Sequence, residues 1–247
     1  MSTPRRIVTL RTVIGTVAAV GIWYLLHGVA GPVRLWAVTL CVLLPILAIV
    51  QVGAIGDPDA LPRIPAYISS IVSLWLIAAL TAVVARVGDI DAGRLRLVPL
   101  AWGAAVAWTL AATAAALGLL LLANRLGIRE SPLLLRLLPV NRAEKQIFAG
   151  LAITAGFCEE LVFRGFLLHV LAGPLGTAGA VAASSIVFGL AHAYQEPGGA
   201  ARAGLLGVVL AVPVVLSGSL WPSMIAHTAI DVISGILLRD RLTGNMA

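Results

Sequence analysis

The chain alternates between long uncharged apolar stretches and short charged interruptions. Residues 12–33, 35–56 and 64–85 each run 22 positions without a formal charge, and 97–124 runs 28. A helix needs about 20 residues to cross the hydrocarbon core of a bilayer, so each stretch is long enough for one span. In the second half, apolar stretches cover 146 to about 172, about 177 to 193, 203 to about 217, and about 221 to 238. The clusters "GPLG", "QEPGG" and "SGSLWP" separate them, and Gly and Pro so grouped end helices. The pattern predicts an all-α, polytopic membrane protein of about eight transmembrane helices. The seventh is the shortest, and Pro213 within it predicts a kink or a partial span.

The polar segments refine this outline. The longest runs from Arg125 to Lys145 and contains "SPLLLRLL", where Ser131 fits an N-cap and Pro132 the first helical position. This predicts a short helix lying in the membrane interface. Asn141 and Glu144 then have capping-box spacing, a clean start for the fifth span. The expected organisation is an N-terminal four-span scaffold plus interfacial segment over 1–140 and a four-span core over 141–247, within one integral membrane domain. At the N-terminus, 12–33 exceeds the 7–15 residues of a signal-peptide apolar region, so it is expected to be a retained first span.

Eight spans put both termini on one side. With the N-terminus inside, the inner segments hold Arg5, Arg6, Arg11, Arg63, Arg125, Arg129, Arg136, Arg142, Lys145, Arg202, Arg239 and Arg241. The outer loops hold Arg34, Arg86, Arg94 and Arg96. Twelve basic residues against four predict cytoplasmic termini by the positive-inside rule. Composition agrees with a bilayer environment: 60% of residues are hydrophobic and 11% charged, against about 25% charged in soluble domains. The net charge of +6 is carried by these short loops, which accounts for it without a nucleic-acid partner. One Lys against 16 Arg points to a GC-rich, bacterial source and hence a plasma-membrane location. Cys41 and Cys158 both fall in apolar stretches and form no CxxC pair.

Four charges remain at membrane depth, Glu159, Glu160, Arg164 and Asp231, where each costs roughly 2.5–3.5 kcal/mol on insertion scales. Three histidines, His169, His192 and His227, share that half of the chain. Glu160 and Arg164 are four residues apart, so a helix puts them on one face as a carboxylate–guanidinium pair. Glu159 is turned by about 100° from Glu160 and is left as a carboxylate suited to general-base work. Phe188 and His192 are again four apart, as are His227 and Asp231. His27 and His169 lack such partners and are read as helix-packing residues.

Glu159-Glu160-x-x-x-Arg164, then Phe188-x-x-x-His192, then His227-x-x-x-Asp231, in this order on successive spans, resemble the CPBP family. That family comprises CAAX prenyl proteases of the Rce1 type and bacterial Abi, or bacteriocin-immunity-like, proteins. The resemblance covers about 141–240. It implies a glutamate-dependent intramembrane endopeptidase in which Glu159 and His192 activate a water. His227 and the residue at 231 would stabilise the oxyanion, and Glu160, Arg164 and Phe188 would support the site. Prenyl-protease members typically have Asn at the last position, whereas this chain has Asp231. Asp231 either carries a proton and donates, or accepts from His227 and fixes its ring.

The expected partners are a peptide or membrane-protein substrate and the lipid bilayer, with no cofactor. A metal-dependent alternative exists, because Glu159, His192, His227 and Asp231 are groups that zinc accepts, although no HExxH lies on one helix. A non-catalytic membrane immunity or scaffold protein is the alternative from a different class.

Overall fold

A computed structural model describes residues 4–54, 61–128 and 131–237, with side chains for all of these except 4–11 and 51–54. Of the basic residues counted above, Arg129, Arg239 and Arg241 lie outside the described residues, as does the end of the eighth expected span at Leu238. Among the described residues the chain is helical throughout, without a strand. The helices are α1 (Pro4–Leu25), α2 (Gly31–Val38), α3 (Leu44–Ala54), α4 (Arg63–Val87), α5 (Trp102–Arg125), α6 (Pro132–Leu137), α7 (Arg142–Glu160), α8 (Leu168–Ala191), α9 (Glu196–Ser217) and α10 (Trp221–Val232). π-helical turns at Thr39–Leu43 and Leu161–Leu167 join α2 to α3 and α7 to α8, and a third, Ile233–Leu237, extends α10. Among the described residues, five stretches are long and apolar enough to cross a membrane by length and composition: Gly31–Val50, Arg63–Val87, Trp102–Arg125, Arg142–Ala191 and Ala193–Ser217.

Several boundaries differ from the charge-based expectation for local reasons. The expected break at Arg34 falls inside α2, whose start is set by Gly31 and Pro32. Arg34 is tolerated there because its guanidinium lies 3.9 Å over the Trp23 ring. The stretch Arg142–Ala191 spans 50 residues, and Gly176 divides it with φ 67° and ψ 170°, two residues after Pro174. That backbone region is essentially open only to glycine. The seventh expected span is corrected: α9 starts at Glu196 and runs 22 residues with Pro213 inside it, so it is a full-length helix rather than a partial one. Its end is set by Gly218 at φ 74°.

The central element is the continuous rod of α7, its π-helical turn and the first arm of α8. All seven residues of Leu161–Leu167 are buried. Around this rod, α7 packs on α4 and α10, α8 on α9, and α10 on α5. The outward faces stay apolar, with Leu76, Leu110 and Leu216 exposed, as lipid-facing helices require.

Both expected N-caps are present. Ser131 accepts from Leu134 N–H at 3.2 Å, and Asn141 accepts from Glu144 N–H at 2.9 Å. Glu144 reaches back one residue further than in a capping box, to Val140 N–H at 2.7 Å. The C-terminal carbonyls of α6, which lack helical partners, accept from α4: Arg63 Nε donates to Arg136 O at 2.7 Å, and the Tyr67 hydroxyl donates to Leu137 O. Leu133, Leu134 and Leu137 of this clamped helix line a cavity.

Candidate active site

The rod and α10 approach each other closely at Gly156. A Cβ there would lie 2.7 Å from Met224 O and 2.9 Å from Thr228 N, both backbone atoms. Only glycine fits, and its absence of side chain lets α10 settle against α7 one turn before the paired carboxylates. This contact carries His227 to Glu160: His227 Nδ1 lies 2.9 Å from Glu160 Oε1. The same oxygen accepts from Arg164 Nη1 at 2.9 Å. Glu160 and Arg164 are fully buried, at 0% and 1% exposure. At such depth a charged pair is tolerable only when its members satisfy each other. Paired with a guanidinium, the Glu160 carboxylate can only accept, so the His227 proton sits on Nδ1 and Nε2 points away from Glu160.

His192 is oriented by a different device. It caps the C-terminus of α8, where the last carbonyls have no intrahelical partner. Its Nδ1 donates to Phe188 O at 2.8 Å, which again leaves Nε2 as the outward nitrogen. The Phe188 ring contacts both histidines, with centroids 4.5 Å from His192 and 6.0 Å from His227, and carries the Arg164 guanidinium 4.2 Å over its face. The four-residue spacing from Phe188 to His192 thus serves a carbonyl contact and a ring contact together.

The two outward nitrogens converge on Glu159. Its Oε2 lies 3.9 Å from His192 Nε2 and 3.8 Å from His227 Nε2. These separations are too long for direct hydrogen bonds. Asp231 Oδ2 lies 3.8 Å from His227 Nε2, likewise outside hydrogen-bond distance. The carboxylate within hydrogen-bond distance of the His227 ring is therefore Glu160, through Nδ1, while Asp231 faces Nε2 at ion-pair distance.

The cluster opens onto a cavity of about 820 Å³. Glu159, His192, His227 and Asp231 line one part of it, and α3, α4, α5 and α6 line the rest with residues such as Leu44, Ser70, Ser73, Leu120 and Leu134. Helices α3, α4 and α5, from the half expected to be scaffold, thus form walls of the same space. The signal that could have indicated this is the group Ser69, Ser70 and Ser73 in an otherwise apolar span. Among the described residues, no three His, Cys, Asp or Glu side chains are grouped so as to hold a metal ion.

Residues 143–233 match the family described as Type II CAAX prenyl endopeptidase Rce1-like. No curated protein and no solved structure matches the chain. The matched segment holds every charged residue of the cluster, from Glu159 to Asp231, and its family together with the long apolar helices marks an integral membrane protein. Residues 143–233 are thus similar to the Rce1-like domain of the CPBP family, whose description implies an endopeptidase of the CAAX-protease type.

Proposed function

We propose that this protein is an intramembrane endopeptidase that hydrolyses a peptide bond of a membrane-associated protein or peptide by a metal-free route. The observation that carries this reading is the approach of one Glu159 oxygen to two imidazole Nε2 atoms, at 3.9 and 3.8 Å, on the wall of the cavity. A gap of this size suits a water that donates one proton to Glu159 and the other to His192 Nε2, at about 2.8 Å each. Glu159 takes a proton from that water as its oxygen attacks the scissile carbonyl carbon, with His192 holding the water by its second proton. The carbonyl oxygen becomes an oxyanion. Collapse breaks the C–N bond, and the proton held by Glu159 passes to the leaving amine. Glu160, Arg164 and Phe188 are positioning residues, and Asp231 adds negative potential beside His227 Nε2.

The proposal extends to topology. Counting α1, the continuous α2–α3 helix, α4, α5, the two arms on either side of Gly176, α9 and α10 gives eight spans. With the distribution of basic residues, this supports cytoplasmic termini. A bacterial plasma membrane is the proposed location, from the Arg bias of the sequence.

The test is turnover of internally quenched peptides of mixed sequence by purified protein in proteoliposomes. Wild type should cleave, and Glu159→Gln and His192→Ala should each reduce cleavage by at least about 10²-fold, the low end for a general base, while remaining folded. Cleavage should persist after exhaustive treatment with 1,10-phenanthroline. Equal rates in Glu159→Gln and wild type would sink the mechanism in favour of a binding or immunity role, and loss of activity on chelation would sink the metal-free route.

A further inference from the structure

With neutral imidazoles the cluster has a surplus of acceptors and lacks a donor for the oxyanion. His227 Nδ1 donates to Glu160 and His192 Nδ1 to Phe188 O. Their Nε2 atoms are lone pairs whenever the rings are neutral, and the Glu159 and Asp231 carboxylates accept. Ser234 also lines the cavity, but its hydroxyl donates to Ile230 O at 2.7 Å. Oxyanion stabilisation is usually the largest electrostatic contribution to acyl transfer, so a donor is needed that no motif of this sequence supplies.

Tyr194 meets the requirement. It sits in a 3₁₀ turn, Ala193–Gln195, directly after the C-cap His192. It lines the same cavity, with its ring centroid 5.8 Å from that of His192. Gln195 Nε2 donates to the Tyr194 hydroxyl oxygen at 3.1 Å, which occupies the acceptor side of that hydroxyl. Its proton has no acceptor among the described residues. The next residue, Glu196, holds φ 64° and ψ 171°, a region that is costly for any residue but glycine and that clusters at functional sites. The turn that presents Tyr194 is therefore a constrained one.

We infer that Tyr194 is a catalytic residue whose hydroxyl donates a hydrogen bond to the carbonyl oxygen as it becomes an oxyanion, with Gln195 holding that hydroxyl in the donating orientation. The inference rests on the endopeptidase reading above. The covalent steps are unchanged: water adds to the carbonyl carbon, Glu159 carries the proton to the amine, and Tyr194 keeps its own proton throughout. Its contribution is confined to the transition state, so it appears in kcat.

The experiment compares wild type, Tyr194→Phe and Glu159→Gln on the same quenched peptides in proteoliposomes. The expected result for Tyr194→Phe is a kcat lower by on the order of 10²–10³-fold, with KM within about threefold and an unchanged melting curve. Because removing the hydroxyl could also loosen the turn, a second variant places 2,3-difluorotyrosine at 194. A deprotonated phenol cannot donate, so the alkaline limb of the pH–rate profile should move to lower pH with this more acidic ring. Glu159-dependent cleavage combined with a full kcat in Tyr194→Phe, or with an unmoved alkaline limb in the fluorinated protein, overturns the Tyr194 assignment alone. Absence of any Glu159-dependent cleavage overturns the endopeptidase reading and this inference with it.

Discussion

The most demanding test of the geometry is Gly156→Ala, which adds one methyl group at the crossing of α7 and α10. The new Cβ would lie 2.2 Å from Thr228 Oγ1, 2.7 Å from Met224 O and 2.9 Å from Thr228 N. The Thr228 hydroxyl can rotate, at the cost of its 3.0 Å bond to Met224 O. The backbone atoms cannot rotate. Restoring ordinary contact distances to them requires α10 to retreat by roughly 0.5 Å or more, since carbon contacts settle near 3.5 Å. Carried through to the site, that retreat stretches the 2.9 Å bond from His227 to Glu160 to about 3.5 Å, the edge of hydrogen bonding. Overpacking of this kind costs about 1–3 kcal/mol of stability, and a misplacement near 1 Å costs about 10²-fold in rate. The assay pairs thermal unfolding in detergent with peptide cleavage. Gly156→Ala should lower the melting temperature and reduce kcat by about tenfold or more. Adding Thr228→Ala should recover only part of either loss, because the clashes with Met224 O and Thr228 N remain. Wild-type kcat in Gly156→Ala would refute the view that this crossing sets the position of His227.

Two further substitutions separate the adjacent carboxylates and probe the last motif position. Glu160→Gln leaves Arg164 buried without its counter-charge. It should destabilise the fold by about 3–5 kcal/mol, read as loss of expression or of melting temperature, whereas Glu159→Gln should melt as wild type does. Asp231→Asn should preserve the orientation of His227, because Glu160 holds that ring, and should cleave peptides within about tenfold of wild type. A loss as complete as that of Glu159→Gln would return the orienting role to Asp231.

Much of the site was legible in the sequence because charges at membrane depth are expensive and therefore informative. The spacing of Glu160 and Arg164 gave their pairing, and Phe188 and His192 do share a face. What spacing did not carry was the long-range partner. Glu160 is bound by Arg164 within its own rod and by His227 from 67 residues away, and no local pattern distinguishes a carboxylate that serves one partner from one that serves two. The π-helical turn at Leu161–Leu167 was equally hidden, because an apolar run reads the same in α and π geometry. At Arg34 the rule that charges end spans failed, since an aromatic face compensated the charge. Gly156 looked like one more small residue in an apolar helix, and its meaning depends on backbone atoms of α10 that sequence does not display.

The cavity that joins the two halves of the chain has a consequence for how such a protein can change. Its acid–base groups come from one stretch, 159–231, while much of its wall comes from α3, α4, α5 and α6. On the endopeptidase reading proposed above, chemistry and choice of substrate are thus encoded at separate places. Exchanging Leu44, Ser73 or Leu134 would reshape what the chamber admits without touching a proton-carrying group. Diversification of clientele on a fixed reaction centre is then a matter of editing the half of the molecule that carries no motif at all.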